Sequence, residues 1–214
     1  MNIKVCEIKS VEQLFQLDKL EIEYVGLVFD KSSIHYIRNF IQAADITSAE
    51  IEILKVGVFV NSPVEEIFKT IEEFDLDLIQ LNGNESPQFC KLISNKIEVI
   101  KTFQLEDFNK TAIEIKIKDF DDVCDYYLFQ RNHNVLNNAA SINIDLKIFN
   151  DISFEKPFFI GGGLIKLRDA SFLHKFKHPD FFGVNFDENF EKDPKMNDFA
   201  MISSFIQTVN QVDN

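Results

Sequence analysis

Tryptophan is absent from this 214-residue chain, and glycine occurs only seven times. The glycines are Gly26, Gly57, Gly83, the triplet Gly161-Gly162-Gly163, and Gly183; each falls in or just after a run that reads as a strand. None lies between Phe186 and Met196. The loop after the last apolar run therefore lacks the residue that lets a backbone close around phosphate oxygens. Asp187-Glu188-Asn189 stands there instead.

Positive charge is also short, with 22 basic against 35 acidic residues and a net charge of −13. That balance excludes nucleic acid and anionic membranes as partners, since both need a cationic face. No hydrophobic run approaches the ~20 residues of a membrane span. The three cysteines, Cys6, Cys90 and Cys124, form no close pair. His35, His133, His174 and His178 make no metal-ligand spacing either, so no metal and no cofactor is implied. The start, Met1 to Cys6, lacks the layout of a signal peptide. With dispersed cysteines, this points to a reducing cytoplasm.

What is present is a regular alternation of short apolar runs with longer amphipathic ones. Continuous apolar runs suit parallel strands covered on both faces. Strands are expected at 3–6, 22–29, 55–60, 77–81, 97–102, 125–130, 157–161 and 181–186. Helices are expected at 10–18, 35–44, 63–74, 86–94, 106–119, 145–151, 166–175 and 195–211. Ser62-Pro63 and Ser86-Pro87 each read as a cap before a first-turn proline. Eight strand–helix units fit an α/β fold, a single (β/α)8 TIM barrel domain over residues 1–214. An open doubly wound sheet is the alternative, but no G-x-G-x-x-G follows the first strand. The stretch 131–144 reads as a loop after the sixth strand.

Six segments carry a resemblance over nearly the full length. They are Lys4-Val5-Cys6, Tyr24-Val25-Gly26-Leu27-Val28-Phe29, Lys55-Val56-Gly57-Val58-Phe59-Val60-Asn61, Gln80-Leu81-Asn82-Gly83-Asn84-Glu85, Ile100-Lys101-Thr102-Phe103 and Gly162-Gly163-Leu164. In this order the chain resembles the phosphoribosylanthranilate isomerase family. The resemblance implies an Amadori rearrangement of a ribosylamine phosphate in tryptophan biosynthesis. It places a cysteine base at the end of strand one and an aspartate acid at the end of strand six. An arginine follows strand two, and the loops after strands seven and eight bind phosphate.

Carried over by position, Cys6 stands at the base and Glu7 replaces the glycine after it. The plain alternative for Cys6 is a buried core thiol. Gln130 stands at the acid position, and an amide has no titratable proton to give. Asp125 is five residues away, faces the other way on a period-two strand, and sits near the opposite barrel end. His35 stands at the arginine position and lacks its bidentate fork; its plain reading is a surface residue at a helix start. The glycine-rich stretch after strand six becomes Asn137-Asn138-Ala139-Ala140, while Asp145, in Ile144-Asp145-Leu146, keeps the family's aspartate. Gly162 and Gly163 can still offer N–H groups to an anion. Asp187 and Glu188 replace the family's serines, and a dianion about 4–6 Å from two carboxylates meets repulsion of several kcal/mol. Arg168 is the nearby cation, able to hold an anion or to pair with Asp187 and Glu188.

Three readings follow: an isomerase with a rearranged site, a non-catalytic binding paralogue, or a barrel enzyme acting on another small metabolite through Cys6, Asp145, Asp187 or Glu188. A small-molecule ligand is expected, with a phosphorylated one doubtful, in a monomer or homodimer. The carboxylate pairs Glu65-Glu66 and Glu72-Glu73 read as solvated helix faces.

Overall fold

The computed structural model describes residues 1–106, 109–131, 146–162, 164, 176–187 and 198–210. Eight parallel strands close into a barrel in chain order. They are β1 (Asn2–Cys6), β2 (Tyr24–Val28), β3 (Leu54–Phe59), β4 (Leu78–Leu81), β5 (Glu98–Leu105), β6 (Tyr126–Arg131), β7 (Phe158–Gly161) and β8 (Phe181–Phe186). Closure follows from β8 pairing with β1, Lys4 opposite Asn185. The described helices are α1 (Val11–Asp18), α2 (Ala43–Thr47), α3 (Val64–Phe74), α4 (Pro87–Ser94), α5 (Lys110–Ile117) and α6 (Asp198–Asn210).

Alternation along each strand divides the core in two. Val25, Leu27, Phe59, Ile79, Leu81, Val99, Phe129, Phe158, Ile160 and Val184 point outward and join the helices in one large cluster. Tyr24, Val56, Leu78, Ile100, Leu128 and Phe159 point inward and form a separate plug inside the barrel. One step further toward the strands' C-terminal ends, several inward positions carry polar side chains or a thiol, namely Cys6, Gln80, Thr102, Gln130 and Asn185, while Val58 stays apolar. The apolar plug thus forms the floor beneath a polar mouth.

Local signals account for several boundaries. The Ser86 side chain accepts from Phe89 N at 3.2 Å, with Pro87 in the first turn. Ser10 and Asn109 cap α1 and α5 in the same way, accepting from Gln13 N and Ala112 N. At α3 the expectation fails, because Pro63 itself takes the cap position and makes no side-chain cap bond.

The expected helix over 35–44 also fails. A single 3-10 turn, Ile37–Asn39, and the short α2 replace it, burying Ile37, Ile41 and Ile46. Periodic apolar residues recorded burial there, while β-branched and aromatic neighbours disfavoured a continuous helix. The described part of 145–151 is likewise a 3-10 helix, Leu146–Asp151. The expected helix over 166–175 lies outside the described residues. Glu65 and Glu72 are exposed as expected, but Glu66 and Glu73 are half-buried and pair with Lys31 and Arg38.

Candidate functional site

Cys6 ends β1, Gln130 stands one residue before the end of β6, Gly162 follows β7 and Asp187 follows β8. All four therefore sit at the C-terminal end of the barrel, where this architecture places its chemistry. Asp125 is at the opposite end, where its Oδ2 accepts from Val99 N at 2.8 Å. Gly163, Arg168, Glu188 and Asp145 lie outside the described residues.

The thiol is held by two neighbours. Lys4 Nζ donates to Cys6 Sγ at 2.8 Å and to Asn185 Oδ1 at 2.8 Å. Cys6 Sγ lies 3.4 Å from that same Asn185 oxygen. Gly26 makes the cluster possible, since a Cβ there would lie 2.4 Å from Cys6 Sγ and 3.0 Å from Lys4 Nζ. Burial pushes the Cys6 thiol up; the Lys4 ammonium and its hydrogen bond pull it down; the charges of Asp187 and Glu7 push it up again. The net direction is upward, so the group rests as a neutral thiol.

Gln130 is fixed by a chain of amides. Its Nε2 donates to Asp187 Oδ2 at 2.9 Å, and its Oε1 accepts from Gln104 Nε2 at 3.1 Å. An ionised carboxylate only accepts, so the Gln130 NH₂ must face Asp187 and its carbonyl must face Gln104. That orientation gives Gln104 the donor role and leaves its own Oε1 buried with no hydrogen-bond partner. Gly162 packs against the same side chain: it holds φ +57, and a Cβ there would lie 2.7 Å from Gln130 Cβ. Its carbonyl accepts from Arg131 N at 3.2 Å.

His35 is not on the surface. It is 5% exposed, within the turn that follows β2, and its Nε2 lies 3.5 Å from Glu7 Oε2. Glu7 adopts φ 69, a left-handed conformation that glycine takes most readily. His35 and Glu7 thus meet in space, as do Gln130 and Asp187.

Sequence reasoning missed Lys4, Asn185, Gln104 and Thr102 as members of the mouth. A signal was present: Lys4 and Asn185 each lie two residues before a residue already singled out, hence on the same strand face. Polar residues interrupting apolar strand runs at inward positions carried the rest. The His35–Glu7 pair had no local signal, because it joins loops after different strands.

A second buried charged group supports this end of the barrel. Lys101 Nζ donates to Glu85 Oε2 at 2.8 Å, Gly83 O at 2.7 Å and Leu81 O at 3.2 Å. Glu85 Oε1 accepts from Asn61 N at 2.9 Å and Gly83 N at 3.1 Å. The pair is fully engaged with backbone and shapes the loop after β4.

Among the described residues no helix is long and apolar enough to cross a membrane, and no three His, Cys, Asp or Glu side chains group as a metal site.

Comparison with known proteins agrees with this geometry. The N-(5'-phosphoribosyl)anthranilate isomerase of Parabacteroides distasonis is 29% identical over 214 residues, covering 98% of this chain and 93% of the relative. The same-named protein of Phocaeicola vulgatus is 30% identical over 215 residues, covering 99% of this chain and 98% of the relative. The crystal structure of phosphoribosyl anthranilate isomerase from Thermus thermophilus shares the fold with a TM-score of 0.76 at 19% identity, covering 98% of this chain and 100% of that one. The family model for N-(5'phosphoribosyl)anthranilate (PRA) isomerase matches residues 3–208. The chain belongs to that isomerase family.

Proposed function

We propose that this protein is a divergent phosphoribosylanthranilate isomerase-type barrel in which the family's Amadori rearrangement is weak or lost. The observation that carries the reading is the bond between Gln130 and Asp187. The position that should protonate a ring oxygen holds an amide, locked in place by a carboxylate from the loop that should hold phosphate. Without a general acid, such a reaction typically slows about 10²–10⁴-fold.

The base position supports the same reading. Cys6 keeps its lysine neighbour, but Glu7 and Asp187 both oppose formation of the thiolate. A relative in complex with reduced 1-(o-carboxyphenylamino)-1-deoxyribulose 5-phosphate has been solved. A ligand of that class would bring its phosphate toward the loops after β7 and β8, where Asp187 now stands. Lys4, Cys6 and Asn185 remain assembled, which favours retention of a small-molecule site over a purely structural role.

Rescue of a tryptophan auxotroph lacking its own isomerase tests the proposal. The unmodified chain should fail to restore growth. A chain carrying Glu7→Gly, His35→Arg, Gln130→Asp, Asp187→Ser, Glu188→Ser and Asn189→Gly together should restore it at least in part. Rapid growth with the unmodified chain would contradict the reading.

A further inference from the structure

Lys4 is fully buried, at 0% exposure, on the same inward face of β1 as Cys6. An ammonium taken out of water needs a compensating partner or gives up its proton. The two groups that accept from its Nζ are formally neutral at rest: the Cys6 thiol at 2.8 Å and the Asn185 amide oxygen at 2.8 Å. An apolar side chain of similar volume would fill the space without that penalty. Unfavourable placements of this kind are kept where a charge has a task.

The contacts indicate the task. Asn185 Oδ1 can only accept, so it holds an N–H of Lys4 and favours the protonated amine. A further N–H of the ammonium is aimed at Cys6 Sγ. When the sulfur loses its proton, that bond becomes charge-assisted on both sides, and the buried cation gains the counter-ion it lacks at rest. Removing the proton from nitrogen instead would weaken both bonds and leave no ion pair. The missing Cβ of Gly26 is what lets nitrogen and sulfur meet. The charges of Asp187 and Glu7, from the loops after β8 and β1, work against ionisation of the sulfur. We infer that Lys4 is a positioning residue for Cys6: its ammonium, held by Asn185, is the counter-charge that lets the buried sulfur give up its proton, so the base retained at the mouth is the Cys6–Lys4 pair and not the thiol alone. This rests on the reading that Lys4, Cys6 and Asn185 persist as a site, but it is tested on ionisation and not turnover, so the two fail separately.

The test is a pH titration of the Cys6 thiolate absorbance in the full chain, with Cys6→Ser as the blank and circular dichroism confirming the fold at each pH. Lys4→Met removes the charge and keeps much of the side chain's length. At any one pH below the midpoint its ionised fraction should be at least about tenfold lower than the parent's, a shift of one pKa unit. Lys4→Arg keeps the charge and should recover the parent's ionised fraction at least in part. Lys4→Gln serves as the second charge-free variant if Lys4→Met does not fold. A purely structural lysine would lower Tm on substitution and leave the titration where it was. A Lys4→Met titration that matches the parent's, or that moves to lower pH, overturns the inference.

Discussion

His35 Nε2 lies 3.5 Å from Glu7 Oε2, joining the turn after β2 to the residue that follows β1. The contact ties the loops after two neighbouring strands together. Glu7→Gly should relieve the left-handed backbone and remove one of the charges opposing the Cys6 thiolate. Alkylation at Cys6, followed by mass spectrometry at pH 8, should therefore run faster in the variant. An unchanged rate would show that Glu7 has no influence on the thiol.

Gly26 is required by close approach. Its missing Cβ is the space that Cys6 Sγ and Lys4 Nζ occupy. Gly26→Ala should destabilise the fold by about 1–3 kcal/mol, as overpacking does elsewhere. Urea denaturation would detect this, and a variant as stable as the parent would mean the cluster can shift freely.

The Lys101–Glu85 pair is buried on both sides, with side-chain exposures of 3% and 2%. Removing one partner strands the other charge, so Lys101→Met should cost about 3–5 kcal/mol. Equilibrium unfolding checks this. A loss below ~1 kcal/mol would mean that the loop after β4 repacks without it.

Burial pushes the Cys90 thiol up from 9.0 to about 11, and pushes Cys124 and Tyr127 up as well, the latter aided by its bond to Asp121. A group whose folded pKa is raised stabilises the fold fully below its unfolded value and loses that contribution as pH rises through the folded one. Stability should thus hold near neutrality and fall progressively above pH ~9. Urea midpoints at pH 8 and pH 10 measure it, and equal midpoints would contradict the burial of these groups.

The barrel was legible because both of its cores write themselves into the strands. Parallel strands covered on both faces appear as unbroken apolar runs, such as Tyr127 to Phe129 or Phe158 to Ile160. The segment after β2 was misread because Ile37 and Ile41 stand four residues apart, at helical spacing, while being buried from a 3-10 turn and the residues after it. At the site, position alone singled out Cys6, Gln130, His35 and Asp187 as candidates. It could not show the contacts Gln130–Asp187 and His35–Glu7, since each joins distant points of the chain. Placing His35 on the surface failed for that reason: its partner is Glu7, 28 positions earlier in the sequence.

On the proposed reading, the bonded Gln130–Asp187 pair stands in place of the family's acid and phosphate functions. The most direct test is isomerisation of N-(5'-phosphoribosyl)anthranilate by the purified protein, assayed beside the Parabacteroides distasonis relative. The expected kcat/KM is at least about 10²-fold below that of the relative. A value within about tenfold would contradict it and show that another residue donates the proton.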